Sequence, residues 1–510
     1  MNLINPSFFR TVVIVVVFIL FFSSSLVFLD PDFGWHLTMG NLILTEGIPK
    51  TDPFSYTMSS FHFIDHEWLT NVILSKAYPI IGQIGLSFLY TAMAISALFI
   101  GILNCISKRN FIEKLKSLHL YYLPFILGIA SIFVFFGIRP QVESWLLFAI
   151  WLYVILNDSI WKKWMWALPL FIILWTNLHG SFATAIVSLS IIVILKSIRL
   201  RKVWFEGVIF LFLGIIATFV NPYGPGIWKE VWLQMSDTRL RWTIAEWKPA
   251  VFYVNFAFLT LATTSVVIIY RYRKKFRLEL LGLNIFFLLQ AIGSVRHIPL
   301  WVLVNLPMFT ISLGYFYQSV KKIEFGKKRF KKVYMYAVLG SLFLFIFQST
   351  THLLTVSRYF NEKYFYPKEA ISFLKSDIPK GEMFSEYGWG GYLIWKLPEK
   401  KVFIDGRMPS WRWNANLANE SNYAMNDYID ILKGKLDYKN VFEKYNIDTV
   451  LWPVSKPGKL ADRISGKFSD FLTKFGYKKS DFNFIEKLEE DGWEQVYKDS
   501  VAMIYKNTNN

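Results

Sequence analysis

Eleven apolar runs dominate this chain, near residues 11–29, 84–106, 120–137, 142–157, 164–178, 181–196, 204–220, 252–270, 279–294, 298–318 and 333–349. Each approaches the length a helix needs to cross a hydrocarbon layer of roughly 30 Å at about 1.5 Å per residue. Hydrophobic residues make up 54% of the 510 and aromatics 18%, more than a soluble domain of this size carries. The expected class is an α-helical polytopic membrane protein. The net charge of +18 would suggest a nucleic-acid partner in a soluble protein, but here the basic residues sit in short clusters between apolar runs. Clusters of that kind orient membrane helices, so nucleic acid is set aside. The single cysteine, Cys105, excludes an intrachain disulfide and a thiolate metal cluster. The first run resembles a secretory signal near Ser23, Ser24 and Ser25, but apolar character resumes from Leu26 to Leu29. It reads as an uncleaved anchor.

Basic residues mark one face: Arg10 before the first run, then clusters at Lys108–Lys116, Lys162–Lys163, Lys196–Lys202, Arg271–Arg277 and Lys321–Lys332. By the positive-inside rule that face is cytoplasmic, which puts the amino terminus inside and residues from about 355 outside. The segment 30–68, "DPDFGWHLTMGNLILTEGIPKTDPFSYTMSSFHFIDHEW", then becomes an acidic first outer loop. Asp30 and Asp32, two apart around a proline, can converge on one cation or one acceptor hydroxyl, and Glu67 is a third carboxylate. His36 and His66 lie in the same segment.

The other outer connections are short and polar. They carry Arg139 and Glu143 in "GIRPQVESW", Asn177 and His179 in "WTNLHGS", and Asn221 and Tyr223 in "NPYGPGIWKEVW". Arg239 and Arg241 follow, then Glu246 in "TIAEWKP", and Arg296 and His297 stand in "GSVRHIPLW". One such cluster is a helix cap or turn; all of them together mark a site, because ionisable groups near the hydrocarbon are costly. After the last run the composition turns mixed. "GEMFSEY", "KVFIDGR", "DTVLWPV" and "QVYKDSVAMIYK" read as strands, and "PKEAISFLKS", "DYKNVFEKY" and "ADRISGKFSDFLTKF" as helices, giving a small α/β domain. The expected division is a membrane domain 1–352, including the loop 30–68, and a soluble domain 353–510. "SEYGWGGYLIW" lacks the spacing of a phosphate loop and reads as a tight turn with close backbone packing.

An outer Asp-x-Asp behind a first membrane helix, with an outer α/β domain at the end, resembles the C-type glycosyltransferase (GT-C) superfamily. "DPDFGWHL", "GIPKTDPFSYT", "HEWL", "WTNLHGSF", "NPYG", "YGWGGYLIW" and "VFIDGR" resemble a bacterial membrane family placed within it. The resemblance implies a multi-pass protein of the inner (plasma) membrane that transfers a sugar from a polyprenyl-phosphate donor to an envelope acceptor. It puts Asp30 or Asp32 at the catalytic position, as base or as ligand of a divalent ion; Mg or Mn at Asp32 is the expected cofactor. The Trp-Trp-Asp signature of oligosaccharyltransferases is not evident. The residues suit this chemistry: a carboxylate deprotonates the acceptor, and guanidinium forks at Arg139, Arg239, Arg241 or Arg296 match a departing phosphate. The partners expected are the bilayer, the lipid-linked donor, and a glycan, lipid or protein acceptor. Two other readings stand beside it: a transporter or flippase of lipid-linked glycans, for which no inverted repeat is visible, and a non-catalytic glycan-binding scaffold.

Overall fold

A computed structural model describes residues 6–103, 120–253, 255–321, 323, 326–454 and 482–507. The basic cluster at Lys108–Lys116, Cys105 and the helix expected over "ADRISGKFSDFLTKF" lie outside the described residues. The chain forms two compact units, one of Met1–Leu29 with Ile64–Ser357 and one of Asp30–Phe63 with Arg358–Asn510. The acidic segment, grouped in the sequence with the membrane helices, thus contributes residues 30–63 to the unit that contains the sheet.

The first unit is helical. A helix stands at each of the eleven apolar runs, because continuous apolar sequence without exposed backbone is satisfied only by internal hydrogen bonding. By length and composition four of them can cross a membrane singly: Trp68–Leu103, Gly180–Leu200, Val295–Val320 and Lys328–Ser357. The pair Pro140–Ile155 and Asp158–Leu178, bent by 105°, makes a fifth if counted as one span. Thr11–Val27, Tyr122–Phe133, Phe205–Ala217 and Leu278–Gly293 are apolar but shorter. Val295–Val320 is the central helix, with 89% of its apolar window buried, whereas Lys328–Ser357 buries only 22% and presents its side chains outward. Trp68–Leu103 is broken at Gly82, whose φ of 59° only glycine adopts cheaply, three residues after Pro79 removes a backbone donor. At one end of the bundle Arg199 makes a forked pair with the buried Glu279, with contacts of 2.8 to 3.1 Å.

The second unit is built on a four-stranded sheet: β1 (Glu382–Ser385), β2 (Ile447–Pro453), β3 (Glu494–Lys498) and β4 (Ala502–Lys506), in the order β1-β2-β4-β3. β1 and β2 are parallel, joined through helices; β4 runs antiparallel to both β2 and β3. The helices expected in "PKEAISFLKS" and "DYKNVFEKY" form as Lys368–Ser376 and Tyr438–Tyr445. Two expectations fail. "KVFIDGR" is not a strand: only Val402 bridges, to Ser55, and the chain then turns so that Asp405 and Arg407 face each other. The acidic segment is not simply a loop, because Phe33–Glu46 is a helix that begins directly after Asp32 and buries Phe33, Trp35, His36, Leu37 and Met39. Glycines let it sit close to the helix Gly390–Lys396. A Cβ on Gly34 would come within 2.2 Å of the Gly391 carbonyl, and one on Gly391 within 2.2 Å of the Pro31 carbonyl. The "YGWGG" run is therefore a packing device, as its glycines suggest.

Candidate functional site

In the helical unit the polar clusters gather at helix ends around one cavity of about 550 Å³, walled mostly by aromatic and aliphatic side chains such as Trp145, Trp228, Trp247 and Phe287. His66, His179, Glu230, Arg296 and His297 also line it. A largely apolar hollow with a few convergent polar groups is the usual form of a small-molecule or lipid site.

Glu67 stands just before the first long apolar helix. Its Oε1 lies 3.1 Å from His179 Nε2 and 3.5 Å from His66 Nε2. Burial works against its charge, yet His66 and the hydrogen bond from His179 hold it well below the usual carboxylate range. Burial alone would discharge His66, but Glu67 beside it raises the imidazole to about 9, so that it is a cation at neutral pH. His179 Nδ1 is 2.8 Å from the hydroxyls of both Ser144 and Ser181 and accepts the Ser181 backbone N–H at 3.4 Å. An N–H can only donate, which places the histidine proton on Nε2, toward Glu67. Asp65 accepts from the Glu67 backbone at 3.1 Å and from Asn71 at 2.8 Å, and burial raises its pKa.

Glu143 is committed inside the helices: Tyr90 donates to one oxygen at 2.6 Å and Thr70 to the other at 2.7 Å. Glu246 pairs with Arg139, which also lies 5.2 Å from the Phe28 ring. Asn177 accepts from Trp68 Nε1 at 2.8 Å and donates to two carbonyls, and Asn221 closes its own turn through Thr218, Tyr223 and Gly224. Both asparagines serve the backbone. The Tyr223 hydroxyl is buried beside Asp65, which with burial raises its pKa. Arg239 is exposed, its backbone N–H bonded to Asp237, and Arg241 belongs to the short helix Leu240–Thr243.

Arg296 differs from the other arginines of the site. Its guanidinium lies 5.1 Å from the Trp247 ring, and among the described residues no carboxylate comes within ion-pairing distance. Glu143 is held by Tyr90 and Thr70 and Glu246 pairs with Arg139, although Arg296 also helps to hold the Glu246 carboxylate below its usual range. Glu230, which the sequence reading passed over, is buried on the cavity wall with Gln234 at 2.9 Å, and burial raises its pKa against the pull of His66. A lone carboxylate in the aromatic run "GIWKEVW" gave no signal of this.

Asp30, Asp32 and His36 belong to the second unit. Asp30 is buried and its Oδ1 accepts the Asp32 N–H at 2.9 Å. The Asp32 carboxylate lies against Gly406, where a Cβ would meet Oδ1 at 1.9 Å. His36 is buried with its ring 3.8 Å from that of Trp35. Among the described residues no group of three or more His, Cys, Asp or Glu side chains could hold a metal ion. The Mg or Mn expected at Asp32 finds no such ligand group among the described residues.

No protein-family model and no curated protein matches this sequence. Among solved structures, the archaeal oligosaccharyltransferase AglB from Archaeoglobus fulgidus, in complex with an inhibitory peptide and a dolichol-phosphate, aligns with a TM-score of 0.51 at 13% identity. The match covers 88% of this chain and 69% of that one. The apo form of the A. fulgidus oligosaccharyltransferase aligns at a TM-score of 0.49 and 13% identity, over 83% and 65% of the two chains. At such identity the likeness concerns fold alone: the chain shares the fold of the A. fulgidus AglB structure.

Proposed function

We propose that the protein is a membrane glycosyltransferase that takes its sugar from a polyprenyl-phosphate donor on the extracytoplasmic face, and that the cavity of the helical unit receives the donor. One observation carries this reading. Arg296 presents a guanidinium at the wall of an apolar cavity, with no carboxylate within ion-pairing distance among the described residues and only the longer-range pull of Glu246, which Arg139 already engages, so a ligand that neutralises it is favoured. A lipid-linked phosphate has the matching shape and sign, and the aromatic wall suits its prenyl chain or sugar. His66, protonated beside Glu67, adds a second positive group on the same wall. Asp30 or Asp32 is the base on this reading, by the resemblance of "DPDFGWHL". An amino terminus on the cytoplasmic side, the second unit outside and an envelope acceptor complete the proposal.

The test is thermal stability of purified protein with and without a polyprenyl phosphate. Wild type at a hundredfold excess over Kd gains about 2.7 kcal/mol. Arg296→Ala loses that gain. Undiminished stabilisation of the variant sinks the phosphate role. Protease added to intact spheroplasts is expected to remove the second unit; protection of that unit inverts the topology.

A further inference from the structure

Glu67 was expected among the reacting carboxylates, yet the structure commits it to two imidazoles, and the line continues beyond them. Glu67 Oε1 is 3.1 Å from His179 Nε2, and His179 Nδ1 is 2.8 Å from Ser181 Oγ. That is a carboxylate, an imidazole and a hydroxyl in series at hydrogen-bonding distances, the constellation that activates a serine for nucleophilic attack. We propose that Ser181, His179 and Glu67 form a second catalytic site, one that cleaves or transfers the carboxylic ester of an apolar acyl chain.

Four features of the local structure support the assignment. The Ser181 backbone N–H bonded to Nδ1 leaves that nitrogen unprotonated and able to take the hydroxyl proton, while Glu67 faces the Nε2 proton and stabilises the imidazolium that results. Ser144 fixes the serine: its Oγ is 2.6 Å from Ser181 Oγ and accepts the Trp175 indole N–H at 3.1 Å. At rest Ser181 Oγ donates to Ser144 Oγ, and rotation of the hydroxyl toward His179 Nδ1, 2.8 Å away, aims its proton at the base. Ser181 also lies in the single 3-10 turn Gly180–Phe182 that leads into the 18-residue helix Ala183–Leu200, whose positive end favours developing negative charge on oxygen. Finally, Ser181 and His179 are on the cavity wall, and the apolar part of that wall, including Trp228, Trp232 and Phe286, is suited to an acyl chain.

The step balances without a cofactor. Ser181 Oγ bonds to the ester carbonyl carbon and its proton passes to His179 Nδ1. The carbon–oxygen bond to the alcohol then breaks, and the alcohol leaves with the proton returned by His179. The acyl-Ser181 ester is opened by water or by an acceptor hydroxyl along the same route, giving a carboxylic acid or a new ester. This activity is separate from sugar transfer and uses neither Asp30 nor Asp32.

The test is a long-chain alkyl fluorophosphonate added to the purified full-length protein, with the modified residue read by peptide mass spectrometry. Modification is expected at Ser181, to be abolished in Ser181→Ala, and to slow at least tenfold in His179→Gln and in Glu67→Gln, with melting temperatures recorded for each. No modification of folded wild type, modification at Ser144 instead, or a rate indifferent to His179→Gln overturns the proposal. Because His179→Gln could fail to fold, a second arm uses Ser181→Cys in a Cys105→Ser background. Its alkylation by iodoacetamide is expected to show a thiolate apparent pKa at least one unit below that of an ordinary cysteine thiol, and an ordinary value overturns the proposal as well.

Discussion

Two arginines, one in each unit, meet opposite surroundings. Arg407 of the second unit is enclosed: it hydrogen-bonds Asp405 through Nε at 2.8 Å and through a second nitrogen at 2.6 Å, and forms an ion pair with Asp52 at 2.8 Å. The rings of Trp35, Phe54, Phe63 and Trp411 stand within 5.9 Å of its guanidinium carbon. Arg296 of the helical unit has one ring beside it, a cavity in front of it, and no carboxylate within ion-pairing distance among the described residues. The same side chain therefore serves two ends. With each charge answered from within, an arginine holds a fold together; with its charge left open to a cavity, it waits for a ligand.

The largest effect that sharpens this contrast is expected from Arg407→Ala. Its removal leaves Asp52 and Asp405 buried together without a countercharge, at a cost of about 3–5 kcal/mol. The variant should fail to accumulate, or melt far below wild type. A variant that folds and melts normally would break the comparison at its structural end.

Gly406→Ala probes the same turn more gently. The added methyl meets the Asp32 carboxylate at 1.9 Å, so either the turn or the head of the Phe33–Glu46 helix must shift. Overpacking of this kind costs about 1–3 kcal/mol, and because the carboxylate itself is displaced, sugar transfer should fall by more than the loss of folded protein accounts for. Transfer that declines only in step with folded protein would show that the position of Asp32 is not critical.

How much of this could be read beforehand varies with the physics involved. The eleven apolar runs were legible because hydropathy is a local property, and a helix stands at every one. Whether each spans a bilayer was not, since helix bends such as the 105° turn after Ile155 depend on packing. "KVFIDGR" alternates like a strand, but the attraction between Asp405 and Arg407, two residues apart, closes it into a turn. The Phe33–Glu46 helix was hidden by the acidic residues around it. At the site, Arg296, His179 and Glu67 were named from the sequence, yet their separate partners were not: only the tertiary fold gives Glu143 to Tyr90, Glu246 to Arg139 and Glu67 to the histidines. Ser181 carried no signal, because a serine becomes distinctive only through what stands beside it.

Glu386 offers a third case, a half-buried carboxyl whose hydrogen bonds come from backbone N–H groups at Gly388 and Trp389. Burial pushes it up to about 7, and those bonds only partly oppose the rise. The folded state therefore holds its proton across a range, from about 4.5 to 7, where the unfolded chain has released it. With more protons bound in the folded state, stability falls as pH rises through that window and is flat beyond it. Glu386→Gln removes this slope, and above pH 7.5 the variant should be the more stable of the two, by on the order of 1 kcal/mol once partial exposure is allowed for. Parallel melting curves of the two proteins between pH 5 and 8 would refute the assignment.

The smallest effect on stability, and the one that decides the contrast, is expected from Arg296→Ala without ligand. If the guanidinium has no internal partner, its loss removes only the contact with Trp247, which for a cation beside an aromatic ring is worth about 0.5–1 kcal/mol, and the relief of an uncompensated charge works the other way. The melting temperature of the unliganded variant should thus stay close to that of wild type, in contrast to Arg407→Ala. Arg296→Lys should do the same while binding a phosphate less well, since it keeps the charge and loses the fork. Should unliganded Arg296→Ala prove as unstable as Arg407→Ala, Arg296 would have a structural partner after all and the two arginines would no longer differ in kind. A small loss of stability together with lost response to a polyprenyl phosphate is the result that distinguishes an arginine kept for a ligand from one kept for the fold.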